Sequence, residues 1–309
     1  MEPCATRLLR RPRLLIVGCG DVGLRVLRLL RARWRVLAVT SSPQRRGLLR
    51  AAGATPLVAD LDDAATLARL ARLADAVLHL APPASSGEHD RRTAALLAAL
   101  ARGGVQRFVY ASTSGVYGDC AGAWVHETHA LNPATERARR RADAEMRVRA
   151  YARACGVRTT ILRVPGIYAF DRDGGDPRER VRRGAPALAE SDDVFTNHIH
   201  ADDLARACVA ALLRGPTMRA IHVTDDDALK MGDYLDRVAD RCALPRVPRL
   251  TRMQAQQHLS PLQMSFLDES RRLDNTRMKR ELKLTLRYPT VEAALALLQP
   301  RAATRPASA

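Results

Sequence analysis

Leu14-Leu15-Ile16-Val17-Gly18-Cys19-Gly20-Asp21-Val22-Gly23 decides how this chain folds. Four apolar residues read as a buried strand, and the G-x-G-x-x-G that follows runs into a helical pattern over Leu24 to Leu30. In a strand–turn–helix unit of this kind the first glycine permits the tight turn and the second lets the backbone approach a pyrophosphate. The third lets helix and strand pack closely, and the amino end of the helix faces the phosphates. The stretch predicts a dinucleotide-binding unit whose contacts are Gly18, Cys19, Gly20, Asp21, Val22 and Gly23; the alternative is a tight turn with a structural role only.

Working outward, strand-like runs alternate with helical ones. Strands are expected at Leu14 to Val17, Val36 to Thr40, Thr55 to Ala59, Ala76 to Leu80, Arg107 to Ala111, Arg158 to Val164 and Ala220 to Val223. Helices are expected at 22–32, 43–52, 62–73, 88–102, 135–155 and 201–213. That order predicts an α/β fold, a doubly wound parallel sheet of the Rossmann type with about seven strands. Past residue 228 the pattern turns helix-rich, without clear strands. The expected division is a flexible basic start over 1–12, a dinucleotide-binding domain over 13–228 whose segment 165–200 contributes to the substrate pocket, a substrate cap over 229–299, and a disordered Ala/Pro/Thr/Ser tail over 300–309.

At 309 residues, with 47% hydrophobic and 27% charged residues, the composition is that of a folded globular chain. No apolar run approaches the roughly 18 residues needed to span a bilayer. The basic start before Leu14 mimics a signal peptide, but its apolar core is short and no A-x-A-like site follows. Six scattered cysteines without a C-x-x-C suggest neither a metal site nor a disulfide framework, so a reducing cytoplasm is expected. The formal charge of +17 is carried by dispersed arginine, with lysine only at 230, 279 and 283, as codon bias in a GC-rich genome would write it. A nucleic-acid binder would want the arginines on one face with aromatics interleaved, and aromatics are only 4%. The partner expected is a small molecule, with no nucleic acid and no membrane, for a monomer or homodimer.

An NAD site usually places an acidic residue about 20 positions after the glycine loop, on the ribose hydroxyls. Here that position is Thr40-Ser41-Ser42, and no acidic residue occurs between Val22 and Ala59. Arg45 and Arg46 follow, where guanidinium groups can pair with a 2′-phosphate. Ser41, Arg45 and Arg46 thus point to NADP in preference to NAD, which stays possible; two solvated surface arginines are the alternative.

With these residues in hand, the chain resembles the extended short-chain dehydrogenase/reductases, the NAD-dependent epimerase/dehydratase superfamily, over roughly residues 13 to 296. Within it the likeness is to the atypical branch of YeeZ-type bacterial proteins. Asp60-Leu61 resembles the family's adenine-side acid and its neighbour, and Leu80-Ala81-Pro82 its cofactor-backing loop. Ser112-Thr113-Ser114-Gly115-Val116-Tyr117-Gly118 resembles the fifth-strand motif, which places the catalytic hydroxyl at Thr113. Arg163-Val164-Pro165-Gly166-Ile167-Tyr168 resembles the turn that meets the nicotinamide end, with Pro165 on the cofactor. Asn197 to Ala205 resembles the substrate-side motif, which puts Tyr168, His198 and His200 toward substrate. Asp202 and Asp203 are expected to cap the helix that follows.

The family's proton transfer relies on a tyrosine whose pKa is lowered by a lysine four residues on. The likeness puts Arg137 and Arg141 at those positions, and none of the six tyrosines is followed at that spacing by lysine. Guanidinium stays charged and is a poor proton donor. The acid must then be another group near Thr113, with Tyr117, Glu136, Tyr168, His198 and His200 as candidates and Arg137 and Arg141 as anion or ribose contacts. The function expected is an NAD(P)-binding oxidoreductase or epimerase with a substituted active site, acting on a nucleotide sugar or another anionic carbonyl or hydroxyl compound. Arg172, Arg178, Arg180, Arg182 and Arg183 would welcome such an anion, or are solvated. The alternative is an inactive NADP(H)-binding sensor.

Overall fold

The computed structural model describes residues 11–30 and 33–298. Residues 1–10 of the expected flexible start and the expected tail over 300–309 lie outside the described residues. In chain order, β1 (Arg13–Val17), α1 (Asp21–Leu30), β2 (Arg35–Thr40), α2 (Arg46–Ala51), β3 (Thr55–Val58), α3 (Ala64–Leu67), β4 (Ala76–His79), α4 (Arg91–Leu100) and β5 (Arg107–Thr113) build the first half. There follow β6 (Trp124–Val125), α5 (Glu136–Cys155), β7 (Arg158–Val164), β8 (Gly166–Tyr168), α6 (Pro177–Arg182), β9 (Ala187–Leu188), β10 (His198–His200), α7 (Ala201–Arg214) and β11 (Arg219–His222). The chain ends in α8 (Met231–Arg241), β12 (Arg249–Leu250), α9 (Arg252–His258), α10 (Pro261–Leu267), β13 (Arg272–Leu273), α11 (Thr276–Glu281) and α12 (Val291–Ala296).

Seven strands pair in parallel in the order β11-β7-β5-β4-β1-β2-β3. This is the expected doubly wound sheet. Its strands read as continuous apolar runs because helices cover both faces. Leu14 and Ile16 enter one core with Val26, Leu27 and Leu30 of α1 and Leu204 and Cys208 of α7. Their neighbours Leu15 and Val17 enter the other, with Leu96 and Leu100 of α4 and Val148 and Tyr151 of α5. The order reverses between β2 and β4, on either side of β1, so the loops leaving β1 and β4 open a crevice at the carboxyl edge.

A third core joins Tyr168, Val181, Leu188 and Val194 to Tyr234, Leu235, Val238, Leu267 and Val291. The chain then returns to the sheet, where Met278, Leu282 and Leu284 fill the α1–α7 side. Two expected helices are shorter than their patterns. Pro43–Arg45 forms a tight 3-10 turn before α2, and Ala68–Leu70 another after α3. The C-terminal stretch, expected to lack clear strands, does contain β12 and β13, which pair with β9 and β6. Two-residue strands leave no alternation to read in a sequence.

Candidate functional site

Each glycine of the loop has its own reason in the geometry. Gly18 sits at φ +84°, and a Cβ there would collide with the backbone of Ala81, so the loops after β1 and β4 touch at this point. Leu80 and Ala81 both donate their backbone N–H to the Val17 carbonyl, at 2.8 and 3.0 Å. A Cβ on Gly20 would meet no atom within 4 Å. On Gly23 it would stand 3.0 Å from Cys19 Sγ, where helix packs on strand. The open space over Gly20, beside the free amides of the first turn of α1, is a cradle for a phosphate group.

Burial pushes the Cys19 thiol up to about 11, and the charge of Arg45 pulls it the other way. Among the described residues neither Arg45 nor Arg46 has an ion-pair partner. Ser41 is exposed at the end of β2. Asp60 is exposed after β3, its carboxylate accepting the N–H of Asp62 at 3.0 Å within its own turn, and Leu61 lies beside it. Pro82 continues the Ala81 turn on the surface. These residues all stand at the carboxyl edge of β1 to β4, where a dinucleotide would lie.

Further along that edge a cavity of about 800 Å³ opens, lined by Thr113, Arg137, Arg141, Pro165, Tyr168 and His198 among others. Thr113 ends β5; its Oγ1 accepts the Gly115 N–H at 3.2 Å, leaving its own proton free to be donated. Thr135 caps α5, which carries Arg137 and Arg141 on one face. Arg141 turns inward, donating to the Ala111 carbonyl at 2.9 Å and the Tyr110 hydroxyl at 3.1 Å. Arg137 lies over the Phe266 ring of α10 at 4.7 Å, and partial burial lowers its pKa. Arg180 of α6 has a thioether partner, Met231 Sδ at 3.4 Å, and burial lowers its pKa too.

Three further cavity groups matter chemically. His198 stacks on Tyr234 at 4.0 Å, and burial, helped by Arg180, brings its pKa down to about 3, so it is neutral. Tyr168, 3% exposed, presents a buried hydroxyl with no hydrogen-bond partner among the described residues. Burial, reinforced by Asp225, holds that phenol well above its usual range. Glu269 is on the wall but is paired with Arg271 at 2.7 Å.

Other candidates are placed elsewhere. Tyr117, beside Thr113 in sequence, is 1% exposed and does not line the cavity, because the 3-10 turn Ser114–Tyr117 swings it inward. Its hydroxyl meets Arg163 at 2.5 Å and His222 at 2.6 Å, and burial pushes its pKa up to about 12. Glu136 points away to Arg140. His200 is buried, stacks on Tyr288 at 3.7 Å and caps α7 through Nδ1, which accepts the Asp202 N–H at 3.2 Å. The expected caps are thus corrected. Asp202 pairs instead with Arg25 at 2.5 Å, and Asp203, fully buried, accepts the backbone N–H groups of Arg287 and Tyr288. Phe266, Tyr234, Glu269 and Arg271, all on the cavity wall, carry no motif that would have marked them in the sequence.

A parallel Rossmann sheet with an open phosphate cradle at β1 and an arginine-rimmed cavity at β5 defines a dinucleotide-binding α/β protein. Residues 14–223 match the model of the NAD dependent epimerase/dehydratase family, and the chain belongs to that family. Comparison with curated proteins gives no match. Among solved structures, a functionally unknown conserved protein from Silicibacter pomeroyi DSS is 29% identical, with 92% of this chain and 97% of that one covered and a TM-score of 0.76. UDP-glucose 4-epimerase from Thermotoga maritima, solved with UDP-glucose, is 20% identical over 92% and 96% with a TM-score of 0.74. The dTDP-glucose 4,6-dehydratase DesIV from Streptomyces venezuelae, solved with NAD, is 21% identical over 92% and 95%, also at 0.74. No helix among the described residues is long and apolar enough to cross a membrane.

Proposed function

We propose that this chain binds NADP(H) along the carboxyl edge of its sheet and acts on a small anionic carbonyl or hydroxyl compound, such as a nucleotide sugar, without the family's tyrosine. The observation that carries the reading is the open space over Gly20, on the same strand edge as Thr113. Gly18 to Gly23 would hold the diphosphate, Arg45 and Arg46 a 2′-phosphate, and Asp60 to Leu61 with Leu80 to Pro82 the adenine side. When bound, the nicotinamide supplies a hydride or accepts one. The chain supplies the rest: Thr113 donates a hydrogen bond to the reacting oxygen, and Arg137 and Arg180 hold the anion. Tyr168, kept protonated by burial and without a hydrogen-bond partner among the described residues, donates a hydrogen bond to the bound substrate; its raised pKa makes it too weak an acid to give the proton up, which comes from water.

NADPH is expected to bind more tightly than NADH. Titrating both by fluorescence tests this, and Arg45→Ala/Arg46→Ala should lose about 1 to 3 kcal/mol for NADPH alone, the value of charged hydrogen bonds. Equal affinities for the two cofactors, or an unchanged preference in the variant, would reject the NADP assignment.

A second reading, a binder that reports NADP(H) occupancy without turnover, is favoured by Arg141, whose donors go to Ala111 and Tyr110. A screen of aldehydes, ketones and nucleotide sugars, following NADPH absorbance with wild type and Tyr168→Phe, separates the two. Turnover of any of these substrates supports the enzyme, and its fall in Tyr168→Phe the hydrogen bond from Tyr168; no turnover with any substrate supports the binder.

A further inference from the structure

The loop between β8 and α6 is closed on itself. Ala169 N–H donates to the Gly175 carbonyl at 3.2 Å, Arg172 N–H to the Ala169 carbonyl at 3.3 Å, and Gly175 N–H to the Arg172 carbonyl at 3.0 Å. The Arg172 side chain lies across Gly175, where an added Cβ would stand 2.5 Å from its Cδ and 2.8 Å from its Cγ. Laid in that slot, Arg172 reaches the Asp21 carboxylate at 2.8 Å, 151 positions away in sequence. Its neighbour Asp171 pairs with Arg25 at 2.5 Å. The loop therefore meets the amino end of α1 at two points, next to the cradle over Gly20.

The charges around Asp21 do not balance within this cluster. Arg25, 5% exposed, spends Nε on Asp21, one terminal nitrogen on Asp202 and the other on Asp171. Three carboxylates thus meet two guanidinium groups, and the surplus negative charge sits where a diphosphate must approach. Arg172 is the cation of this cluster with donors to spare. It gives a single terminal nitrogen to Asp21, and its side chain is 27% exposed.

We infer that Arg172 bridges the Asp21 carboxylate and the diphosphate of the bound dinucleotide, so that the loop walling the substrate cavity at Gly174 to Asp176 also clamps the cofactor. This rests on the dinucleotide reading above. It assigns Arg172 a role separate from the 2′-phosphate contacts, because the diphosphate is common to NADP and NAD.

The test is a set of fluorescence and calorimetric titrations with NADPH, NADH, ADP-ribose and adenosine 2′-monophosphate, the last lacking a diphosphate. Arg172→Ala should weaken the first three by about tenfold, one lost charged hydrogen bond, and leave the last unchanged. Gly175→Ala, which displaces the same side chain without removing it, should weaken the same three. Asp21→Asn added to Arg172→Ala should recover part of the loss. Wild-type NADPH affinity in Arg172→Ala, or an equal loss for adenosine 2′-monophosphate, would overturn the inference while leaving the cofactor reading intact. Absence of NADPH and NADH binding in the wild type would overturn both, and is a distinct result.

Discussion

A side chain at Gly20 would enter open space, while one at Gly18 would strike Ala81 from a backbone at φ +84°. Two glycines of one motif therefore predict opposite outcomes. Gly20→Val should keep its circular dichroism spectrum and melting temperature within a few degrees, yet lose NADPH binding, because its methyls fill the cradle. Gly18→Ala should lower stability by more than about 1 kcal/mol, since the left-handed conformation and the collision both disfavour the variant. Calorimetry with an NADPH titration on both proteins checks the pair. The roles of these glycines are legible in the sequence because the motif is local, a strand, a turn and a helix in ten residues. The identity of Ala81 as the atom-for-atom neighbour is not, since only the parallel pairing of β1 with β4 brings it there. Tyr117 shows the same limit. It stands four residues after Thr113, but the intervening 3-10 turn gives it to Arg163 and His222 rather than to the cavity.

At the scale of an element, α5 sets two arginines against the cavity. Arg137 and Arg141 share a face, as four-residue spacing requires, and both border the cavity. Their energetics differ. Arg141→Ala leaves the Ala111 carbonyl and the buried Tyr110 hydroxyl without a charged donor, so a loss of about 1 to 3 kcal/mol in denaturant melts is expected. Arg137→Ala removes a partly exposed contact with the Phe266 ring, and should cost less than about 1 kcal/mol. Equal losses in the two variants would show that Arg141 is as loosely held as Arg137. The start of α7 departs from its local pattern for a related reason. Carboxylates in a first turn suit local capping, but Arg25 lies 177 positions from Asp202, and the amides of Arg287 and Tyr288 lie 84 and 85 from Asp203. Sequence reasoning weighs the local partner and cannot see the distant one.

Across the whole molecule the sheet was legible and the third core was not. Strands buried on both faces announce themselves as apolar runs; the third core draws on residues 168–194 and 229–298 together, so no single window displays it. The sheet also buries two histidines as neutral groups, and that sets how the fold responds to acid. His79 is 1% exposed and His222 fully buried, each with its pKa brought down to about 3 mainly by burial. Arg141 opposes a charge on His79, and Arg163 on His222, whose Nδ1 donates to the Asp274 carbonyl at 2.9 Å. In the unfolded chain both histidines return to about 6.5. The unfolded state therefore binds more protons than the folded one between about pH 6.5 and 3, and stability falls as pH drops through that window. His198, also brought down to about 3, adds a third proton, so the slope approaches about 4 kcal/mol per pH unit, three times the value for one, and His200, lowered by burial too, adds to it. Other groups titrate below pH 5, so urea melts at half-unit steps from pH 7.5 to 5 isolate the effect. His222→Gln keeps an acceptor for Tyr117 and cannot take up a proton. It should be less stable than wild type at pH 7.5, and its slope should fall by one proton's share, at most about 1.4 kcal/mol per pH unit. An unaltered slope in that variant would mean that His222 is not held neutral by the fold.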